Sequence, residues 1–274
     1  MEKKNNHYIP KCLLKRWKTN NGKFDGVHFL DLQSKSIDFS ASNGKKGFSF
    51  ASIDNLYVLT KDNDRLVNLE NWFDGLENSL STFIDKVERK DKELFKNLGH
   101  LNKLIMSLVA FEFRSRYNFE IGIEYLNKNK SIKDKFIGKD SFQIILENVV
   151  NGTTYLSNQI FPVELTVWES EKPLLLSDRP LLFKIVDNYS FFPLTPNKLL
   201  SFKKTTNEST IDFQKATVDF VDKFNEMITE SARDWIVSVQ KQDLELISQT
   251  KEFKQPVDSV IFNEIDRLLI GYEY

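Results

Sequence analysis

Five short apolar runs rich in strand formers follow one another at 163–169, 174–176, 181–186, 189–193 and 198–203, mostly with only turn residues between them. A parallel return needs a crossover of about a dozen residues or more, and these connections are far shorter. The run therefore predicts an antiparallel sheet. Its first part, LTVWESEKPLLLSDRP at 165–180, reads as a hairpin whose second arm stops abruptly at Ser177, Asp178, Arg179 and Pro180. A strand tip ending in a carboxylate is a place where a site can be built, so Asp178 becomes the first candidate.

Helical periodicity dominates the middle of the chain. In the long helix predicted from about Asn68, the apolar stripe is Phe73, Leu76, Leu80, Phe83, Ile84 and Val87. Glu77 falls on that stripe, four residues after Phe73 and three before Leu80, and Glu70 lies two turns earlier on the same side. An inward carboxylate needs a partner, because an unpaired buried charge is costly. A second long helix, read as starting near Leu101 and running through Tyr117, turns Leu104, Ile105, Leu108 and Phe111 inward and places Arg114 beside them. Arg114 is thus a candidate partner for Glu77 or Glu70. Residues 128–139 read as a charged connection and 141–150 as a short helix, while the last long helix, at about 213–231, carries Asn225 on its apolar side.

At the start, Pro10 suits the first turn of a short helix with Leu13, Leu14 and Trp17 on one side. Around it stand Lys3, Lys4, Lys11, Lys15, Arg16 and Lys18, readable as a solvated face or as a phosphate-facing patch. Residues 27–39 read as a hairpin, 55–60 as a strand, 205–209 as a polar loop, 235–239 as a strand, and Phe262, Ile265, Leu268 and Leu269 as the inner side of a final helix. The predicted fold is α+β, long helices packed on a small, mostly antiparallel sheet, in a single domain over 1–274: helix and hairpin at 1–60, helices at 61–160, strands at 161–204 and C-terminal helices at 205–274.

Several classes are disfavoured by the totals. With Lys+Arg 38 against Asp+Glu 39 there is no global basic field of a nucleic-acid binder. Cys12 is the only cysteine, so neither an internal disulfide nor a thiolate zinc knuckle can form, and a reducing, cytoplasmic location is expected. Placed beside leucines, Cys12 reads as an inert thiol, and His28 and His100 as ordinary surface or boundary residues. No apolar run approaches the roughly 20 residues of a membrane span. MEKKNNHYIPK carries charge but no apolar signal core.

HYIPKCLLKRW, the helix with Glu70 and Glu77, FRSR around Arg114, LLLSDRP followed by FFPLTPNKLL, and FNEMITESARDWIVS stand in an order that resembles the bacterial domain-of-unknown-function family 4238. The resemblance spans His7 to about Ser238. His7, Tyr8, Ile9 and Pro10 fill the family's opening His-x-x-Pro. Its Ser-Asp-x-Pro is met with Arg179 where the family often has Asn, and Arg114 is followed by Ser115 and Arg116 in place of an Arg-Thr-Pro-like sequence. The resemblance implies an architecture, nominates positions and suggests a phage-defence or mobile-element setting; it names no reaction.

The polar residues read as turned inward are Glu70, Glu77, Arg114, Asp178 and Asn225, with His7 as a sixth. One reading gathers them into a cleft of a metal-assisted hydrolase of phosphodiester or nucleotide substrates, nuclease-like or nucleotide-hydrolysing. Asp178 and Glu77 would hold the metal, with Mg²⁺ as the oxygen-loving candidate, His7 and Asn225 would join them in catalysis, and Arg114 and Arg179 would bind the substrate's phosphate. No HExxH motif and no Gly-rich phosphate loop supports it. A structural reading lets Ser177 and Asp178 cap their turn, pairs Glu77 with Arg114, gives Asn225 to loop backbone and makes Arg179 a partner for Asp178. A third makes the chain a non-catalytic ligand-sensing or protein-interaction module, with an exposed apolar patch at Phe191 and Phe192 or at the tail from Gly271 to Tyr274.

Overall fold

The chain enters through β1 (Asn5–His7) and α1 (Lys11–Leu14), which starts directly after Pro10. β2 (Thr19–Asn20), β3 (Asp25–Asp31), β4 (Ile37–Ala41), β5 (Ser52–Asp54), β6 (Val58–Lys61) and β7 (Asp64–Asn68) follow. The helical part comprises α2 (Glu70–Glu88), α3 (Leu98–Val109), α4 (Arg116–Lys128), α5 (Lys130–Lys133) and α6 (Ser141–Ile160). Then come β8 (Val163–Glu169), β9 (Leu176–Ser177), β10 (Leu182–Val186), β11 (Tyr189–Thr195), β12 (Lys198–Lys204) and β13 (Thr210–Lys215). α7 (Val218–Ser231), β14 (Trp235–Ser238) and α8 (Lys241–Thr250) complete the path. This computed structural model describes residues 5–43, 47–54, 56–61, 64–91, 98–136, 138–186 and 188–250; the final helix read near Phe262 and the 271–274 tail lie outside them.

The architecture is α+β, with helices packed on mostly antiparallel sheets. One five-stranded sheet has the order β10-β11-β12-β8-β13 and is antiparallel except at its edge, where β13 runs parallel to β8. The other runs β2-β3-β14-β9, with β4 also paired to β3. The first sheet is covered on both faces, so β11 is buried almost throughout. Phe192 turns to the larger core and meets Phe111 with ring centroids 5.0 Å apart, while Phe191 turns to the smaller core under α7 and meets Phe220 at 6.0 Å. Successive residues of a strand point to opposite faces. The expectation of an exposed patch at Phe191 and Phe192 fails for that reason: a strand between two helical layers has no wet side.

The expected 165–180 hairpin does not form. Its first arm is β8, inside the first sheet, whereas its second arm shortens to β9 and pairs with β14 in the other sheet. Residues 170–175 cross between the sheets. Ser170 and Leu174 donate their N–H groups to Asn197 and Pro196, and Trp17 Nε1 donates to Leu174 O at 3.0 Å. The long helix expected from 101 to 117 is also interrupted. α3 tightens into a 3-10 turn at Ala110–Glu112, and Ser115, in extended conformation, caps α4 by accepting from Asn118 N. Arg114 therefore sits in a corner between two helices. The helix expected at 141–150 continues to Ile160, capped by Asp140, and 210–215 is an edge strand with α7 starting only after the Thr217 cap.

α6 passes so close to the helix corner that a Cβ on Gly152 would lie 2.6 Å from Phe113 Cε1. Gly152→Ala is predicted to displace Phe113 and to destabilise the fold by about 1–3 kcal/mol. Urea unfolding reads this directly, and an unchanged midpoint would show that the corner yields freely.

Candidate functional site

β9 pairs antiparallel with β14, Ser177 opposite Ile236, so the residue leaving the strand tip meets the turn that follows α7. Asp178 Oδ1 accepts the backbone N–H of Arg233 at 3.0 Å and of Trp235 at 3.4 Å, and the Asp178 N–H donates to Trp235 O. The side chain is sealed, with the residue 1% exposed. Its Oδ2 is buried and meets no hydrogen-bond partner among the described residues. Burial pushes the Asp178 pKa up, while the N–H groups of residues 233, 234 and 235 and the charge of Arg179 hold it down.

A second carboxylate stands on the turn that Asp178 meets. Asp234 was not a candidate from sequence, yet its Oδ2 is likewise buried and unpartnered among the described residues. Burial, then repulsion from Asp178, pushes its pKa up to about 6 against the pull of Arg116. Tyr8 closes the inner side: its hydroxyl accepts from Trp235 Nε1 at 2.8 Å and donates to Phe50 O at 3.1 Å. Burial and the charges of Asp178 and Asp234 keep that hydroxyl protonated. On the outer side Arg179 and Arg233 both lie over the Tyr117 ring, at 5.5 and 5.4 Å from its centroid, and Arg116 is the preceding residue. Asp234, Tyr117, Arg179 and Arg233 are half-buried and Arg116 is exposed, so this side reaches solvent.

The other candidates gather elsewhere. Arg114, 2% exposed, donates from Nη2 to Glu77 Oε1 at 2.8 Å and to His7 O at 2.7 Å, and its guanidinium lies 4.2 Å from the Phe73 ring centroid. Tyr57 donates its hydroxyl to Arg114 O at 2.6 Å, and Asn6 donates to Glu70 Oε1. Burial opposes the Arg114 charge, and Tyr57 and Glu77 more than offset it, so the group stays cationic. His7 contributes its main chain to this cluster, while its ring Nε2 lies 3.4 Å from Gly47 O. Cys12 Sγ rests against Glu77 O, and burial followed by the Glu77 charge pushes the thiol up to about 11, consistent with an inert cysteine.

Asn225 is occupied at both ends of its amide. It accepts from Leu175 N at 2.9 Å and donates to Pro173 O at 3.0 Å, tying α7 to the inter-sheet crossing. Glu77 and Asp178 thus belong to different clusters, and among the described residues no group of three or more His, Cys, Asp or Glu side chains is placed to hold a metal ion. Glu77, expected beside Asp178 as a holder of Mg²⁺, instead pairs through Oε1 with Arg114. The geometry does assemble a carboxyl pair beside guanidinium groups. The only cue to Asp234 in the sequence is a charged residue directly before a buried strand.

A carboxyl whose pKa rises on folding binds its proton more tightly in the folded state. The Asp234 contribution is therefore full below the unfolded value of about 4 and is lost as pH rises through about 6. Asp234→Asn is predicted to flatten this acid dependence and to stabilise the protein above that window by about 1–2 kcal/mol. Thermal melts between pH 4 and pH 8 check it; parallel curves for parent and variant would count against a perturbed Asp234.

Among the described residues no helix is long and apolar enough to cross a membrane. No curated protein and no solved structure matches the chain. The family described as "Protein of unknown function (DUF4238)" matches residues 5–242, which include β1, the Arg114 corner and the Asp178–Asp234 turn. The chain belongs to the DUF4238 family.

Proposed function

We propose that this chain is a hydrolase of phosphate esters, of phosphodiester or nucleotide type, acting on the outer side of the Asp178–Asp234 pair. The observation that carries the reading is the meeting of two carboxyl groups, Asp178 at the β9 tip and Asp234 on the turn after α7, beside Arg116, Arg179 and Arg233, with the outer carboxyl pushed up to about 6. A carboxylate with a pKa near the working pH is matched to proton transfer, and guanidinium groups are matched to phosphate. In this reading Asp234 takes a proton from water, the water oxygen bonds to phosphorus, and the bond to the leaving oxygen breaks. That oxygen departs as an alcohol or phosphate after taking a proton from solvent, while Asp234 returns its own to solvent. The arginines hold the phosphate charge. Asp178 acts as a positioning residue that fixes the turn and raises the Asp234 pKa. Arg114, Glu77, the His7 main chain and Asn225 support the framework. A bacterial, cytoplasmic setting in phage defence, where cleaving nucleic acid or nucleotides harms an infection, is part of the same proposal.

A second reading is favoured by the burial of the nominated residues. Asp178 is 1% and Arg114 2% exposed, and both ends of the Asn225 amide bond to backbone, as a purely structural network would have them. The chain would then be a non-catalytic ligand-sensing or protein-interaction module.

The experiment is turnover of bis(4-nitrophenyl) phosphate, nucleoside triphosphates, DNA and RNA by the purified protein, with and without Mg²⁺. Turnover is expected to rise with pH through about 6 and to fall by about 10²–10⁴-fold in Asp234→Asn. Activity indifferent to Asp234→Asn, or no turnover of any of these substrates, overturns the hydrolase reading, and stabilisation by a ligand without turnover selects the sensing module.

A further inference from the structure

A cavity of about 340 Å³ lies between α2 and α3. It draws its basic groups from both helices, Lys86 from α2 and His100 and Lys103 from α3, and among the described residues no Asp or Glu lines it. In a chain with 38 basic and 39 acidic residues, a wall of one sign selects for an anionic ligand. Earlier turns of α2 add different chemistry. Ser79 Oγ donates to Gly75 O at 3.2 Å and Thr82 Oγ1 to Asn78 O at 2.8 Å. Their protons are engaged within α2, so the hydroxyl oxygens offer lone pairs to a ligand's N–H or O–H donors. Beneath them Phe83, Leu101 and Leu104, all at most 4% exposed, make an apolar floor.

A ligand meeting all three surfaces needs a flat body to lie on the floor, N–H or O–H donors along one edge, and a negative group at one end. The volume is at the small end of the roughly 300–1,000 Å³ typical of small-molecule sites, which suits one compact ligand and not a polymer. We infer that the α2–α3 cavity, through Lys86, His100 and Lys103 and through the Ser79 and Thr82 oxygens, binds a nucleoside monophosphate. The base lies on Phe83 and the leucines, its exocyclic donors reach the hydroxyl oxygens, and the phosphate meets the lysines. Among the described residues the cavity shares no lining residue with the Asp178–Asp234 turn. α2 links the cavity to the Arg114 cluster, because Glu77, the partner of Arg114, immediately precedes Asn78 of the cavity wall.

Calorimetric titration with AMP, GMP, CMP and UMP tests this, with adenosine and inorganic phosphate as the two halves of the ligand. At least one monophosphate is expected to bind at least tenfold more tightly than either half. The double variant Lys86→Glu/Lys103→Glu, which alters two solvent-reaching side chains, is expected to weaken that binding at least tenfold while keeping the parent's melting temperature to within a few degrees. Asp234→Asn is expected to bind as the parent does. Absence of binding by all four monophosphates, equal binding of phosphate alone, or unchanged affinity in the lysine variant overturns the inference. So does loss of binding in Asp234→Asn with retention in the lysine variant, which would place the ligand at the strand tip.

Discussion

A guanidinium ion in the interior is tolerated only where oxygen atoms and aromatic faces are brought to it, and much of this fold is arranged around that requirement at Arg114. Its oxygens come from different parts of the chain: Glu77 from α2 and the His7 carbonyl from β1. Phe73 supplies the nearest aromatic face, and Tyr57 takes the Arg114 carbonyl that an unbroken helix would have bonded within itself. The corner at 113–115 follows, and with it the direction of α4. Because Arg116 and Tyr117 open that helix, the guanidinium and aromatic side of the Asp178–Asp234 turn inherits its position from a buried ion pair in another cluster.

The two clusters are joined by the first described residues of the chain. His7 gives its carbonyl to Arg114, and the next residue, Tyr8, places its hydroxyl against Trp235 beside Asp178 and Asp234. The His-Tyr-Ile-Pro opening therefore works as a bracket. Its histidine matters here through its main chain, and its tyrosine supplies the polar contact. The strand tip at Asp178 is held from further sides as well, by Trp17 on Leu174 O and by Asn225 on Pro173 and Leu175. A carboxylate so firmly placed can set the electrostatics of its neighbour without moving, which is what a perturbed Asp234 requires.

What could be read from the sequence was local and periodic. The α2 stripe buries Phe73, Leu76, Leu80, Phe83, Ile84 and Val87 as its spacing predicts, and Glu77, out of place on that stripe, meets the Arg114 expected for it. The unreadable features depend on partners distant in sequence or on single residues. Nothing within 165–180 says that its two arms join different sheets, since that choice is made by β12 and β14. Apolar spacing continues across 110–115, so periodicity misses a corner that a serine cap and Arg114 create. β13 alternates polar residues on a sheet edge and looks like a loop before a helix. Asp234 is conspicuous only after folding puts Asp178 beside it.

The bond between Tyr8 and Trp235 spans 227 positions, and that between Trp17 and Leu174 spans 157. During synthesis residues 8–17 leave the ribosome long before Leu174 and Trp235, the partners that close over them. Until Trp235 emerges, Tyr8, Ile9, Leu13 and Trp17, which end fully buried, have no complete core to enter. Closing so long a chain segment is slow on entropic grounds, and apolar groups waiting in the open are prone to wrong association. The bracket that completes the native state is thus also the part of the nascent chain left longest without its home.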